Sequence, residues 1–238
     1  MNYPYYFKDH TLQHLFKNTR LFIFDMNGLM IDDEEFQLRS VNMTLRDLSI
    51  KLNENYWIEN CLGRRADEYY PDILKKHNVD MDKYSIPILV KTKNCLYCDL
   101  ITGSVKSIVR PGVLSFIDFI SHNNDRKTAL VTSALLEEIE TVIGKKALDL
   151  KKILKYIVSG SDVVNSKPDP EAYIKVSELS GVHPASCLVF EDSETGINAA
   201  FNAKMRCVAV PNRYTADQYF KNADHVVDNL TSDAQILS

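Results

Sequence analysis

Five short apolar runs, Leu21–Phe24, Thr128–Val131, Tyr156–Val158, Cys187–Phe190 and Cys207–Val210, each break off at a polar or Gly-containing segment. Runs of this length without polar alternation suit strands buried on both faces, the pattern of a parallel sheet covered by helices on either side. The intervening segments supply such helices. Val113, Ile117 and Ile120 follow a Pro111–Gly112 start, and Leu135 to Ile143, Pro170 to Leu179 and Thr195 to Ala203 carry helical spacing. Repeated strand–helix alternation predicts an α/β class, with a doubly wound parallel sheet core that is Rossmann-like.

Between Phe24 and Thr128 no further strand is legible. That stretch carries Val41, Leu45, Leu48 and Leu52, then Ala66, Tyr69, Tyr70, Ile73 and Leu74, at helical spacing, and a third helical segment from Tyr84 to Leu100. The expected organisation is a core domain made of residues 1–32 and 110–238, with a helical cap domain at 33–109. A chain of 238 residues accommodates one α/β domain plus a small insert. The tail after Asp228 reads as a short terminal segment. Tyr3, Tyr5, Tyr6 and Phe7 form an aromatic cluster expected to pack on the core domain.

A net charge of −4 offers no basic excess to neutralise a phosphate backbone, so nucleic acid is not expected as a partner. No apolar run approaches the length of a membrane span, and the N-terminal residues lack the basic-then-apolar order of a signal peptide, so a cytoplasmic protein is expected. Nothing calls for an oligomer, and a monomer is the default. Five cysteines have no framework spacing and are expected as free thiols. Cys95 and Cys98 form a lone CxxC within a helical stretch, and without a second ligand pair it does not make a structural zinc site. The six histidines are scattered, and none sits in a motif.

In an open parallel sheet, ligands bind beyond the carboxyl ends of the strands. Past successive strands stand Asp25-Met26-Asn27-Gly28, Thr132-Ser133, Lys167-Pro168 and Glu191-Asp192-Ser193. A carboxylate can attack phosphorus and divide one difficult displacement into two. Hydroxyl and ammonium groups can hold phosphoryl oxygens. An acidic cluster can hold Mg²⁺, which prefers oxygen ligands. Asp25 read singly is a turn or cap residue, and Thr132, Ser133, Glu191 and Asp192 are each suited to capping the helix that follows.

Taken together, FIFDMNGLMIDDE, LVTS, SKPDPEAY and LVFEDSETGINAA resemble, in order, the four motifs of the haloacid dehalogenase-like superfamily. The resemblance implies a phosphoric monoester hydrolase acting on a small phosphorylated metabolite, a sugar phosphate or nucleotide, with Mg²⁺. It implies Asp25 as nucleophile and metal ligand, Thr132 and Ser133 as phosphoryl contacts, and Lys167 as the neutralising cation. Asp192, with Glu191 alongside, would complete the metal site. The insert is similar to the cap of the branch containing β-phosphoglucomutase, phosphoglycolate phosphatase and pseudouridine phosphatase. Glu34 matches an acidic residue early in that cap. Cys61-Leu62-Gly63-Arg64-Arg65 resembles its specificity loop, which implies substrate contact for Arg64 or Arg65.

Position 27 departs from the pattern. The family carries a second Asp there, the general acid/base, and this chain carries Asn27. An amide cannot exchange the proton, though its main-chain carbonyl can still bind the metal. Losing an acid/base costs roughly 10²- to 10⁴-fold in rate, most for leaving groups that need protonation. Asn27 thus leaves a second reading beside the phosphatase, a catalytically impaired phosphometabolite-binding protein; a phosphotransferase of the β-phosphoglucomutase kind is a further alternative, against which Asn27 counts because a mutase uses that acid/base in both directions.

Overall fold

The computed structural model describes residues 5–7, 10–122, 125–231 and 234–236. Its elements run β1 (Tyr5–Phe7), α1 (His10–Lys17), β2 (Leu21–Phe24), α2 (Glu34–Thr44), α3 (Glu54–Asn60), α4 (Ala66–Lys76), α5 (Ile86–Ile101), α6 (Val113–Ser121), β3 (Lys127–Val131), α7 (Leu136–Ile143), β4 (Tyr156–Val158), α8 (Glu171–Ser180), β5 (Cys187–Glu191), α9 (Glu194–Asn202), β6 (Arg206–Ala209), β7 (His225–Val226) and β8 (Ala234–Ile236).

Strands β2 to β7 form one parallel sheet in the order β4-β3-β2-β5-β6-β7. The chain starts in the middle with β2, builds outward to β4 on one side, then returns to build β5 to β7 on the other. The carboxyl end of β2, between β3 and β5, is therefore the point where the winding reverses and a crevice opens.

The continuous apolar runs have a direct physical cause. Phe22, Phe24, Leu130, Leu188, Phe190 and Val208 enter one hydrophobic cluster with α1, α6 and α7. Their alternating neighbours Leu21, Ile23, Ala129, Val131, Cys187, Val189, Cys207 and Ala209 enter a second, against α8 and α9. A strand with both faces covered has no place for a polar residue until it ends. The doubly wound α/β core expected from sequence is the architecture found.

Between β2 and β3 the described residues carry helix and no strand. Val41, Leu45, Trp57, Tyr69, Tyr70, Ile73 and Leu74 make a third, separate cluster. Its independence favours a cap, but α5 crosses the boundary: Tyr97 and Ile101 are buried in the first core cluster. We therefore propose residues 33–109 as a cap whose last helix is rooted in the core domain.

Differences from expectation are local. Strand β5 extends through Glu191, which is the last strand residue rather than the first of the loop; β6 runs one residue earlier than its apolar pattern suggests. The two-residue β7 had no pattern to announce it. The terminal segment is not isolated: Ala234–Ile236 pairs antiparallel with Tyr5–Phe7, a contact between chain ends that no local signal predicts. Tyr3 lies outside the described residues, as do the side-chain contacts expected of the aromatic cluster. Cys95 and Cys98 lie inside α5, and all five cysteines are free. Among the described residues, no helix is long and apolar enough to cross a membrane.

Candidate active site

Asp25 directly follows β2 at the reversal point, and its amide N–H donates to Phe190 O on β5. The strand pairing thus fixes the carboxylate at the sheet edge, buried and lining a cavity of ≈ 780 Å³ between the sheet edge and the helical insert. Lys167, in the loop between β4 and α8, donates from Nζ to Asp25 Oδ1 (2.7 Å) and to Glu191 Oε1 (2.6 Å). Burial opposes the Lys167 charge, but Asp25 and Glu191 more than offset it and raise its pKa, so the ammonium persists.

Burial also pushes the Asp25 carboxyl up to about 7 in spite of Lys167, with Glu191 adding to the rise. Asp192 is raised well above the usual carboxylate range by burial, then by Glu191 and Asp25. Such a cluster needs more positive charge than one lysine supplies.

Asp25, Glu191 and Asp192 each offer an oxygen within 4.8 Å of the others, a hard-donor set that fits Mg²⁺. The two acidic residues at the end of β5 have different duties. Glu191 Oε1 accepts from Lys167 and from Tyr173 OH (2.9 Å), while Oε2 accepts from the N–H groups of Asp192 and Ser193 and from Ser193 Oγ. Its lone pairs are engaged, which suits it to hold Lys167. Among the described residues, Asp192 accepts a hydrogen bond on Oδ2 alone, from Asn212 Nδ2 (2.7 Å). The capping role that Glu191 and Asp192 might have played falls to Ser193, whose Oγ accepts from Gly196 N–H.

Two glycines make room for this arrangement. Gly28 has φ +77°, and a Cβ there would lie 2.3 Å from Asp192 Oδ2. At Gly196, in the first turn of α9, a Cβ would lie 1.9 Å from Glu191 Oε1. Neither carboxylate could occupy its present position beside a larger residue.

Thr132 and Ser133 follow β3 and line the same cavity. Thr132 Oγ1 accepts from Ala134 N–H (3.1 Å) and donates to Asn27 Oδ1 (3.3 Å). The N-cap of α7 is Leu135, so neither hydroxyl caps that helix. Asn27 Nδ2 donates to Asp33 Oδ2 (2.6 Å), and Asp33 is fully buried.

Arg64 and Arg65 line the cavity from the insert, but each is already paired. Arg64 is bound to Asp72 (2.9 Å) and to the Asn60 and Glu68 carbonyls; Arg65 is bound to Asp67 (2.8 Å) and reaches Val163 O across the cavity mouth. Glu34 is buried in the cavity wall with Trp57 Nε1 donating to it (2.7 Å), and burial, with Asp33 adding to it, pushes its carboxyl up to about 8.

The sequence reasoning missed Asp33, Tyr97, Asn212, Tyr173 and the buried Lys93–Glu138 pair (2.9 Å). Asn212 was within reach, because it lies just past β6 and the rule applied to four strands holds for the fifth. The others sit inside helices or behind the loop that follows β2, where one-dimensional spacing gives no cue.

The family model described as haloacid dehalogenase-like hydrolase matches residues 22–210, from β2 through the end of β6. The chain belongs to that family. A CBBY-like protein of Arabidopsis thaliana is 31% identical over 221 residues, covering 87% of this chain and 67% of that protein. A phosphorylated carbohydrates phosphatase of Thermotoga maritima is 28% identical, covering 76% and 80%. A crystal structure of mutant CbbY from Rhodobacter sphaeroides in complex with xylulose-(1,5)bisphosphate superposes with a TM-score of 0.82 at 24% identity, covering 90% and 96%, a likeness of fold. For this haloacid dehalogenase-like hydrolase, the ordered motifs and the fold agree.

Proposed function

We propose that this enzyme is a Mg²⁺-dependent phosphatase that hydrolyses a small phosphorylated metabolite through an aspartyl-phosphate on Asp25. The observation that carries this reading is the contact of buried Lys167 with both Asp25 and Glu191, beside a cavity that Asp25, Lys167, Thr132 and Asp192 line together.

Asp25 is the nucleophile: Lys167 holds its Oδ1, and Oδ2 accepts no hydrogen bond among the described residues. The carboxylate attacks phosphorus as the P–O bond to the leaving group breaks, and the departing alkoxide takes its proton from solvent water because Asn27 has none to give. Lys167 and the hydroxyls of Thr132 and Ser133 neutralise and orient the phosphoryl oxygens. Water then attacks the phosphorus, the bond to Asp25 breaks, and the carboxylate returns as inorganic phosphate carries off the water-derived oxygen. Asp25, Asp192 and the Asn27 main-chain carbonyl would hold Mg²⁺, with Glu191 beside them; the cation supplies charge relief between an anionic nucleophile and an anionic substrate.

The cavity lies within the size range of small-molecule sites. Its lining of Glu34, Gln37, Lys93 and Asn94 offers hydrogen-bond donors and acceptors suited to a polyhydroxylated body. Together with the activity named for the Thermotoga relative, this favours a sugar phosphate over a nucleotide. Arg64 and Arg65 would contact substrate only by releasing Asp72 and Asp67.

The test is phosphate release from an aryl phosphate and a panel of sugar monophosphates, with and without Mg²⁺. Activity that requires Mg²⁺ and disappears in Asp25→Asn is expected. Binding of the same esters without turnover would favour the phosphometabolite-binding reading, and accumulation of a sugar bisphosphate would favour the phosphotransferase.

A further inference from the structure

The side chain of Asn27 is set by a residue outside the motifs. Asp33 is fully buried and accepts four hydrogen bonds: from Asn27 Nδ2 (2.6 Å), Tyr97 OH (2.7 Å) and Gln37 Nε2 (3.0 Å) on Oδ2, and from Gly28 N–H (3.2 Å) on Oδ1. Tyr97 comes from α5 and Gln37 from α2, so the first and last α-helices of the insert converge on this one carboxylate. Only a donor can face it from position 27. The amide therefore has one orientation, with Nδ2 toward Asp33 and Oδ1 toward Thr132 and the cavity.

We propose that Asp33 is a positioning residue for the dephosphorylation step: it locks Asn27 so that Oδ1 is a fixed acceptor for the water that attacks the aspartyl-phosphate. This rests on the phosphatase reading above. An amide takes no proton, and in this step none need be taken in advance. The water oxygen bonds to phosphorus, the P–O bond to Asp25 breaks, Asp25 leaves as a carboxylate, and the water protons depart on the phosphate or to solvent. What the amide contributes is direction, holding one O–H so that a lone pair points at phosphorus.

A second consequence concerns the pair itself. An ionised carboxylate at position 27 would oppose oxygen to oxygen across the 2.6 Å contact wherever Asp33 is ionised too, and the pair could then be held only by keeping a proton between them. Asn27 and Asp33 are thus interdependent: an acidic residue at 27 is accommodated only when position 33 becomes a donor.

The experiment is a double-mutant cycle of Asn27→Asp and Asp33→Asn in the full chain with Mg²⁺ and p-nitrophenyl phosphate. It follows nitrophenol and phosphate release before the steady state, together with Tm. Asp33→Asn is expected to lower kcat about 10-fold or more with kcat/KM little changed, because only the second step is slowed. It is also expected to slow phosphate release relative to nitrophenol release, so that a burst of nitrophenol appears; a merely structural loss would slow both. Asn27→Asp alone is expected to lose activity and Tm, and adding Asp33→Asn to recover both. Additive losses, absence of the burst, or a gain of activity at unchanged Tm in Asn27→Asp alone would overturn the inference. If Asp25→Asn releases phosphate as fast as the parent, the aspartyl-phosphate reading fails, and the role assigned to Asn27 fails with it. Loss in Asp25→Asn with additivity at 27 and 33 overturns this inference alone.

Discussion

At Gly196 the helix backbone comes so near to Glu191 that a single added methyl would occupy the position of its carboxylate. Glu191 does not stand alone: the same carboxylate holds Lys167, which in turn holds Asp25. Gly196→Ala should therefore act on Asp25 through two intermediates. The expected outcome is a loss of about 1–3 kcal/mol in stability from overpacking, with a fall in kcat. Urea unfolding and steady-state kinetics measure the two, and a variant with parental kcat would show that Lys167 does not depend on Glu191. At this scale the sequence is readable where chemistry follows a strand end, as with Asp25, Thr132, Lys167 and Asp192. It is silent where a residue works by contact across the fold. Asp33 is adjacent to a helix start and looks like an ordinary N-cap, yet it makes no capping bond to α2 and is spent instead on Asn27, Tyr97, Gln37 and Gly28.

Helices α5 and α7 meet through one buried ion pair, Lys93 with Glu138, whose side chains are 6% and 4% exposed. One helix belongs to the insert and the other follows β3, so the pair joins the two parts of the molecule at the cavity wall. Removing one partner strands the other in a low-dielectric site. Lys93→Met is expected to cost about 3–5 kcal/mol, whereas Lys93→Met with Glu138→Leu should recover most of that stability. Chemical denaturation of the two variants decides it; equal losses in both would mean that packing, not the unpaired charge, dominates. The helices themselves were legible: α6 and α8 show apolar spacing that survives in the fold, and α5 lies within one residue or two of the helical segment expected there. What joins them was not, because a lysine and a glutamate far apart in the chain resemble any solvated pair until both are buried. The β1–β8 ribbon fails for the same reason: pairing between chain ends has no local signature.

Over the whole molecule, carboxyl groups gather around the cavity in excess of the cations that face them. Asp25 is pushed up to about 7 and Glu34 to about 8, and Asp33 and Asp192 are raised as well, burial being the leading cause in each. Each of these groups holds its proton more tightly folded than unfolded. Stability tied to them is fully present below the unfolded carboxyl range and is lost as pH rises through the raised values. Each unit of elevation carries about 1.4 kcal/mol, so the sum matters for a domain of ordinary marginal stability. A divalent cation bound to the ionised oxygens of Asp25 and Asp192 acts in the opposite sense, because its affinity grows as those groups lose their protons. Without metal, Tm should therefore fall between pH 5 and pH 8.5, and saturating Mg²⁺ should raise Tm more at pH 8.5 than at pH 5. Glu34→Gln removes one raised carboxyl while leaving an oxygen for Trp57 Nε1, and it should flatten the metal-free profile without abolishing the Mg²⁺ effect. Scanning calorimetry of parent and variant across this range, with chelator and with Mg²⁺, reads all three. A metal-free Tm that holds level or rises toward pH 8.5 would mean that these carboxyls ionise in the folded protein at ordinary pH, and that the cavity finds its compensating charge within the chain.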